Sequence, residues 1–219
     1  MLTYQDIKNN TKIRTYLMRS DETLEALGYT EHSWAHATQV AVTAGRLLES
    51  LDYDMRTVEL AKIAGYLHDI GNLVNRHDHA LLGGTMVFAL LNELGLDADE
   101  VATVTCAVGN HDEETGVPVN AVTAAVILAD KADVRRSRVR NTDISGFDIH
   151  DRVNYSVIHS SIDVSEDKTQ IVLNLTVDTE FGSVIEFFEI FMERMLMSKR
   201  AAEKLNLQFK LVINNQTVM

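Results

Sequence analysis

Ala64-Gly-Tyr-Leu-His-Asp-Ile-Gly-Asn72 sets an imidazole and a carboxylate, His68 and Asp69, side by side where an apolar helix runs out. An ionised carboxylate at the end of so apolar a run needs a strong partner, and a divalent cation is the usual one. Further donors of the right type lie on both sides: His36 upstream, then His79, His111 and Asp130 downstream. The series reads as a metal site on a helical scaffold, with metal-assisted hydrolysis as the leading chemistry.

Apolar spacing outward from this stretch is helical from about Ile7 to about Arg140. His32 to Leu51 places Val40, Ala44, Leu47 and Leu48 on one stripe. Met55 to Ile70 continues through Val58, Ile63 and Leu67, with Gly71 as its expected C-terminal stop. His79 to Leu94 and Ala98 to Val108 are two more helices, and Gly116-Val-Pro118 is a break. Ala121 to Arg138 resumes as a helix whose first half is apolar enough to lie in the core. Near Gly146 the period changes to two: Tyr155 to Val164 and Thr169 to Val177 alternate around a turn at Ser165-Glu-Asp-Lys168. Ser183 to Leu205 is an amphipathic helix rich in Phe and Met, and Leu207 to Ile213 reads as a last strand. The expected fold is mainly α: a helical domain over 1–145, then a small α+β (β-β-α-β) appendage over 146–219.

Bulk composition narrows the function. The 219 residues are 46% hydrophobic and 24% charged, which is ordinary for a globular chain and excludes disorder. A formal charge of −12 argues against a nucleic-acid partner gripped through phosphates, and requires local cations at any phosphate site. The single cysteine, Cys106, excludes a disulfide framework, suits a reducing compartment, and is expected as a small core residue. The N-terminus has no signal-peptide apolar core and no run reaches membrane-spanning length, so a cytoplasmic protein without a membrane partner is expected.

The candidate ligands differ in what they can do. His68 and Asp69 diverge by about 100° on a helix and cannot chelate as an i, i+4 pair does. The two oxygens of Asp69 can each take an ion, so a dinuclear centre bridged by Asp69 is stereochemically natural. His32 and His36 are four apart and share a face. His79 opens a helix, His111 follows one, and Asp130 ends the apolar run Ala124-Ala-Val-Ile-Leu-Ala129. Such donors suit divalent ions: manganese, iron, zinc, nickel or, less well, magnesium, one or two of them.

The order His36, His68-Asp69, Asp130 resembles the H…HD…D signature of the HD-domain metal-dependent phosphohydrolases. Flanking residues carry the likeness further: Leu67-His-Asp-Ile-Gly71, His79-x-x-x-Gly83 and Ile127-Leu-Ala-Asp-Lys131. Asn110-His-Asp-Glu and Gly116-Val-Pro118 also resemble the HHE…GYP segment of the HD-GYP phosphodiesterases. Asn110 stands where that branch has a histidine and Val117 where it has a tyrosine, so cyclic-dinucleotide hydrolysis is not implied. The resemblance covers roughly residues 30 to 135 and implies an HD-type helical bundle. It implies that His36, His68, Asp69 and Asp130 bind a first metal and that Asp69, His79 and His111 hold a second, with His32 an additional member.

A phosphohydrolase follows from this resemblance, acting on a small phosphorylated substrate, with nucleotides the favoured class, through a water activated by the metal. Asp69 and Lys131 are the expected catalytic residues, Lys131 neutralising charge on the phosphoryl oxygens. Arg76, Lys131, Arg135 and Arg138 are the expected phosphate-binding cations, and Asp133 is expected to orient a ligand or Lys131. The Phe/Met stripe from Phe187 to Met197 is expected to pack on the hairpin or on a second copy in a homodimer. Two other readings remain: a metal-retaining, ligand-sensing regulatory module without turnover, and a di-iron oxygenase in the same scaffold.

Overall fold

The computed structural model describes residues 1–219. Seven helices come first: α1 (Tyr4–Asn9), α2 (Thr11–Ala26), α3 (Trp34–Ser50), α4 (Met55–Leu67), α5 (His79–Glu93), α6 (Ala98–Gly109) and α7 (Ala121–Ala132). A short α8 (Ile149–Ser156) leads into β1 (Val157–Val164) and β2 (Gln170–Val177), followed by α9 (Val184–Lys204), β3 (Gln208–Ile213) and β4 (Gln216–Thr217). The fold is a helical body with a small α+β appendage, as expected. No helix is long and apolar enough to cross a membrane.

Helix starts follow from local chemistry. The Asp54 side chain accepts from the amides of Arg56 and Thr57, Asp97 from Asp99, and Asn120 from Thr123, so each satisfies donors that the first helical turn leaves free. Ser183 and Glu186 form a reciprocal capping box at the start of α9. In the sheet, β1 and β2 form an antiparallel hairpin and β3 lies parallel to β2 through the α9 crossover, in the order β1-β2-β3-β4. Lys168 takes a left-handed conformation, φ 54°, in the hairpin turn.

Every residue of α7 from Val122 to Ala132 is buried, which makes it the central helix. Helices α3, α4 and α6 pack around it, and α9 covers it from the appendage side. A single hydrophobic core runs from Ile7 and Val40 through Ile127 to Phe187, Leu173 and Leu211. Within the stripe of α9, Phe187, Phe191, Met195 and Met197 are buried against this chain's own α7 and sheet, whereas Met192 and Leu196 stay exposed.

Four local expectations need correction. Helix α4 stops at Leu67, and Gly71 sits inside a following 3-10 turn, Ile70–Leu73. Its role is close approach: a Cβ there would lie 2.0 Å from the His79 carbonyl oxygen and 2.4 Å from the Gly83 nitrogen. Helix α7 ends at Ala132, six residues early, because Asp133 leaves helical geometry at ψ 68° and its side chain is committed to His36. Residues 149–156, read partly as strand, form α8, where Asp148 caps the amide of Asp151. Cys106 is only half-buried, on the outer side of α6 next to Asn110.

Candidate metal centre

Five segments deliver the donors. His36 stands one turn into α3, a helix started by the Ser33 cap. His68 caps α4, and Asp69 follows in the bend before the 3-10 turn. His79 opens α5 after Asp78, which takes a left-handed φ of 59°. His111 follows the end of α6, and Asp130 sits in the last turn of α7. Asn72 and Ser20 fix the bend: Asn72 Nδ2 donates to Asp69 Oδ1 and to its carbonyl, both at 3.0 Å, and Ser20 Oγ donates to the same carbonyl.

All six donors are buried and converge. His36 Nε2 lies 3.2 Å from His68 Nε2, 3.4 Å from Asp130 Oδ1 and 3.6 Å from Asp69 Oδ2. On the other side, Asp69 Oδ1 lies 3.4 Å from His79 Nε2 and 3.8 Å from His111 Nε2, and those two nitrogens are 3.1 Å apart. Asp112 Oδ2 approaches His79 Nε2 at 3.6 Å from the edge. The two carboxylate oxygens of Asp69 thus face two different pairs of imidazoles.

Tautomers follow from the outward bonds. His68 Nδ1 donates to the Gly65 carbonyl at 2.8 Å, His79 Nδ1 to Arg76 at 3.1 Å and His111 Nδ1 to Val108 at 2.7 Å. His36 Nδ1 donates to Asp133 Oδ2 at 2.7 Å. Carbonyls and carboxylates only accept, so each neutral ring carries its proton outward and turns the Nε2 lone pair inward. Lone pair then meets lone pair at 3.1 and 3.2 Å, an arrangement that only an inserted proton or cation makes favourable. The donor set therefore fits a divalent metal.

Electrostatics agree. Burial acts to lower the pKa of His68, but Asp69 and Asp130 outweigh it and raise it to about 10. Burial also opposes ionisation of Asp69, yet the charge of His68 outweighs it and holds its carboxyl well below the usual range. Asp130 is held down likewise, by Lys131, His36 and His68. His79 moves the other way: burial and then His111 lower it to about 4.

Residues 33–137 match the family model described as the HD domain. This stretch of the chain is a domain of the HD superfamily. Members of that superfamily are in general metal-dependent phosphohydrolases, and HD domains bind divalent metals. The chain is also 26% identical over 225 residues to the Uncharacterized protein MJ1020 of Methanocaldococcus jannaschii, covering 90% of this chain and 84% of the relative.

Within the HD domain, groups formed by His36, His68 and Asp130, and by His68, Asp69 and His111, bring their donor atoms within 4.8 Å of one another. His32 lies one step outside: its ring packs edge-on against His36, Nδ1 donates to the Thr30 carbonyl, and the ring lines a cleft. The cleft has a volume of about 330 Å³ and is bounded by loop residues 27–30, His32, Arg76, Glu113 and the α8–α9 side of the appendage.

The expected phosphate-binding cations fare differently. Lys131 is buried between Asp130 Oδ2, at 2.8 Å, and Glu113, so its charge is taken up by these two carboxylates. Arg135 pairs with Asp133 and Glu31. Arg138 is buried and donates to the carbonyls of Glu31 and Asp133, tying the end of α7 to the α2–α3 loop. Arg76 and Arg138 both line the cleft, Arg76 laid over the Tyr29 ring and Arg138 committed to the two carbonyls. Sequence reasoning missed Arg194 on α9, whose Nε donates to Glu113 at 3.1 Å, and no local motif marks it.

Proposed function

We propose that this protein is a phosphohydrolase that cleaves a small phosphate ester, with nucleotides the favoured substrates, at a centre of two divalent ions. The observation that carries the reading is the divided carboxylate of Asp69, one oxygen toward His36 and His68 and the other toward His79 and His111. His36, His68, Asp69 and Asp130 would hold one ion; Asp69, His79 and His111 the other, with Asp112 at its edge. Bound there, the ions would make water acidic enough to serve as nucleophile near neutral pH and polarise the phosphoryl oxygens.

The chain's own residues do the positioning. The four outward Nδ1 bonds hold the imidazoles rigid, Asn72 restrains the Asp69 carboxylate through Oδ1, and Ser20 fixes the Asp69 backbone, an arrangement in which the carboxylate would hold an ion on each side. Lys131 offsets the charge of Asp130 without leaving the interior. Arg76 presents a fixed cation to an anion entering the cleft.

Protein purified without chelator is expected to carry divalent metal by elemental analysis and to hydrolyse a generic phosphomonoester with added manganese. Asp69→Ala is expected to lose metal and about a thousandfold or more in turnover while keeping its helical circular dichroism. Wild-type turnover in Asp69→Ala would overturn the reading. Metal retention with no turnover on a broad ester panel would favour the regulatory module instead.

A further inference from the structure

The cations that the HD domain itself supplies near the centre are mostly spent. Lys131 is closed between two carboxylates with its side chain 3% exposed, and Arg135 and Arg138 are bound to Glu31 and Asp133. Arg194 differs. Its Nε is held by Glu113, and its guanidinium lies 4.9 Å from the Phe191 ring centroid. Its two terminal amino groups make no hydrogen bond within the protein, and the side chain lines the same cleft as Arg76 and His32. Arg138, by contrast, spends Nη1 and Nε on the carbonyls of Asp133 and Glu31.

We propose that Arg194 is a substrate-binding residue, whose terminal amino groups hold the non-reacting oxygens of the phosphoryl group opposite Arg76. Helix α9 lies outside the HD domain, so the C-terminal appendage completes the phosphate subsite of the same chain. This deepens the hydrolase reading above and rests on it for the identity of the ligand. The planar guanidinium fork matches two phosphoryl oxygens. Glu113 and Phe191 fix the fork beforehand, so little side-chain freedom is lost when the anion arrives. Glu113 is shared between Lys131 and Arg194, so it takes up only part of the charge of Arg194.

Inorganic phosphate is the probe, titrated into metal-loaded and metal-free full-length protein by calorimetry. Arg194→Met is expected to weaken phosphate binding about ten- to hundredfold, the range of a charge-assisted contact, with metal content unchanged. Arg194→Lys is expected to fall in between, and added guanidinium to restore part of the loss in Arg194→Met. Arg200→Met, exposed on the same helix, should bind as wild type does. In turnover, KM for a phosphomonoester should rise more than kcat falls. Phosphate affinity unchanged in both Arg194 variants, or metal lost from both, overturns the proposal. Should no ester be turned over by wild type, the hydrolase reading fails while the phosphate titration still decides Arg194.

Discussion

At the scale of single residues, the candidate centre depends on bonds made away from it. Asp133 shows this best. Burial opposes its ionisation, yet the bond to His36 and the charge of Arg138 hold its carboxyl below the usual range. Its acceptor fixes the ring of His36, so Asp133→Asn is expected to cost about 10- to 100-fold in metal affinity with the ligands intact. Equilibrium dialysis against a competing chelator measures this, and wild-type affinity would show that the ring orients itself. The convergence of the candidate ligands was legible in the sequence because histidines and aspartates at the ends of apolar helices have few structural uses. What Arg135 and Arg138 bind was not legible for a physical reason: a cluster of basic residues shows its charge but not its partners. Those partners, Glu31 and Asp133, are fixed only by the chain's fold.

Among the elements, the turn after α4 is the narrowest joint. The reading of Met55 to Ile70 as helix was sound over the 13 residues to Leu67, whereas the stop was assigned to the wrong residue and mechanism. Gly71 matters for the backbone of α5 pressed against it, which no local pattern announces. Gly71→Ala would push its methyl into the His79 carbonyl and the Gly83 amide, both backbone atoms that cannot swing aside. The expected result is a loss of stability of about 1–3 kcal/mol, together with weakened metal binding through displaced His79. Chemical denaturation and dialysis read the two effects, and a variant with neither would show that the joint yields. The β-strands were legible from alternation, while α8 was missed because its eight residues are too few for a period to emerge.

For the whole molecule, the two expected halves share one core, so the appendage contributes to the stability of the helical body. A chain cut after residue 145 would strip Phe187, Phe191 and Met195 from α7, and is expected to aggregate or remain unfolded on expression. A monomeric truncated protein with native helicity would refute that. The metal-free protein should also have a narrow pH optimum near 6.5. His68 is raised from 6.5 to about 10, so its contribution is complete below 6.5 and fades as pH climbs toward 10. His79 is lowered from 6.5 to about 4, so the unfolded chain takes up a proton first and stability also falls as pH drops through that window. Glu113, held below the usual range by Lys131 and Arg194 despite burial, adds a further loss in acid. Metal-loaded protein should lack the alkaline loss, because a ligand nitrogen needs no proton. Calorimetric Tm against pH with and without chelator checks this, and a Tm of the metal-free protein that is flat from 6.5 toward 10 would contradict it.

Helix α7 carries Asp130 and Lys131 through the middle of the molecule, and Ser160 of β1 donates to the carbonyl of Ala132 at its end. A strand thus acts as an anchor bolt on the beam that bears a ligand. Mechanical slack in the sheet would be transmitted to the position of Asp130, giving surface changes in the hairpin leverage over the candidate metal centre from a distance.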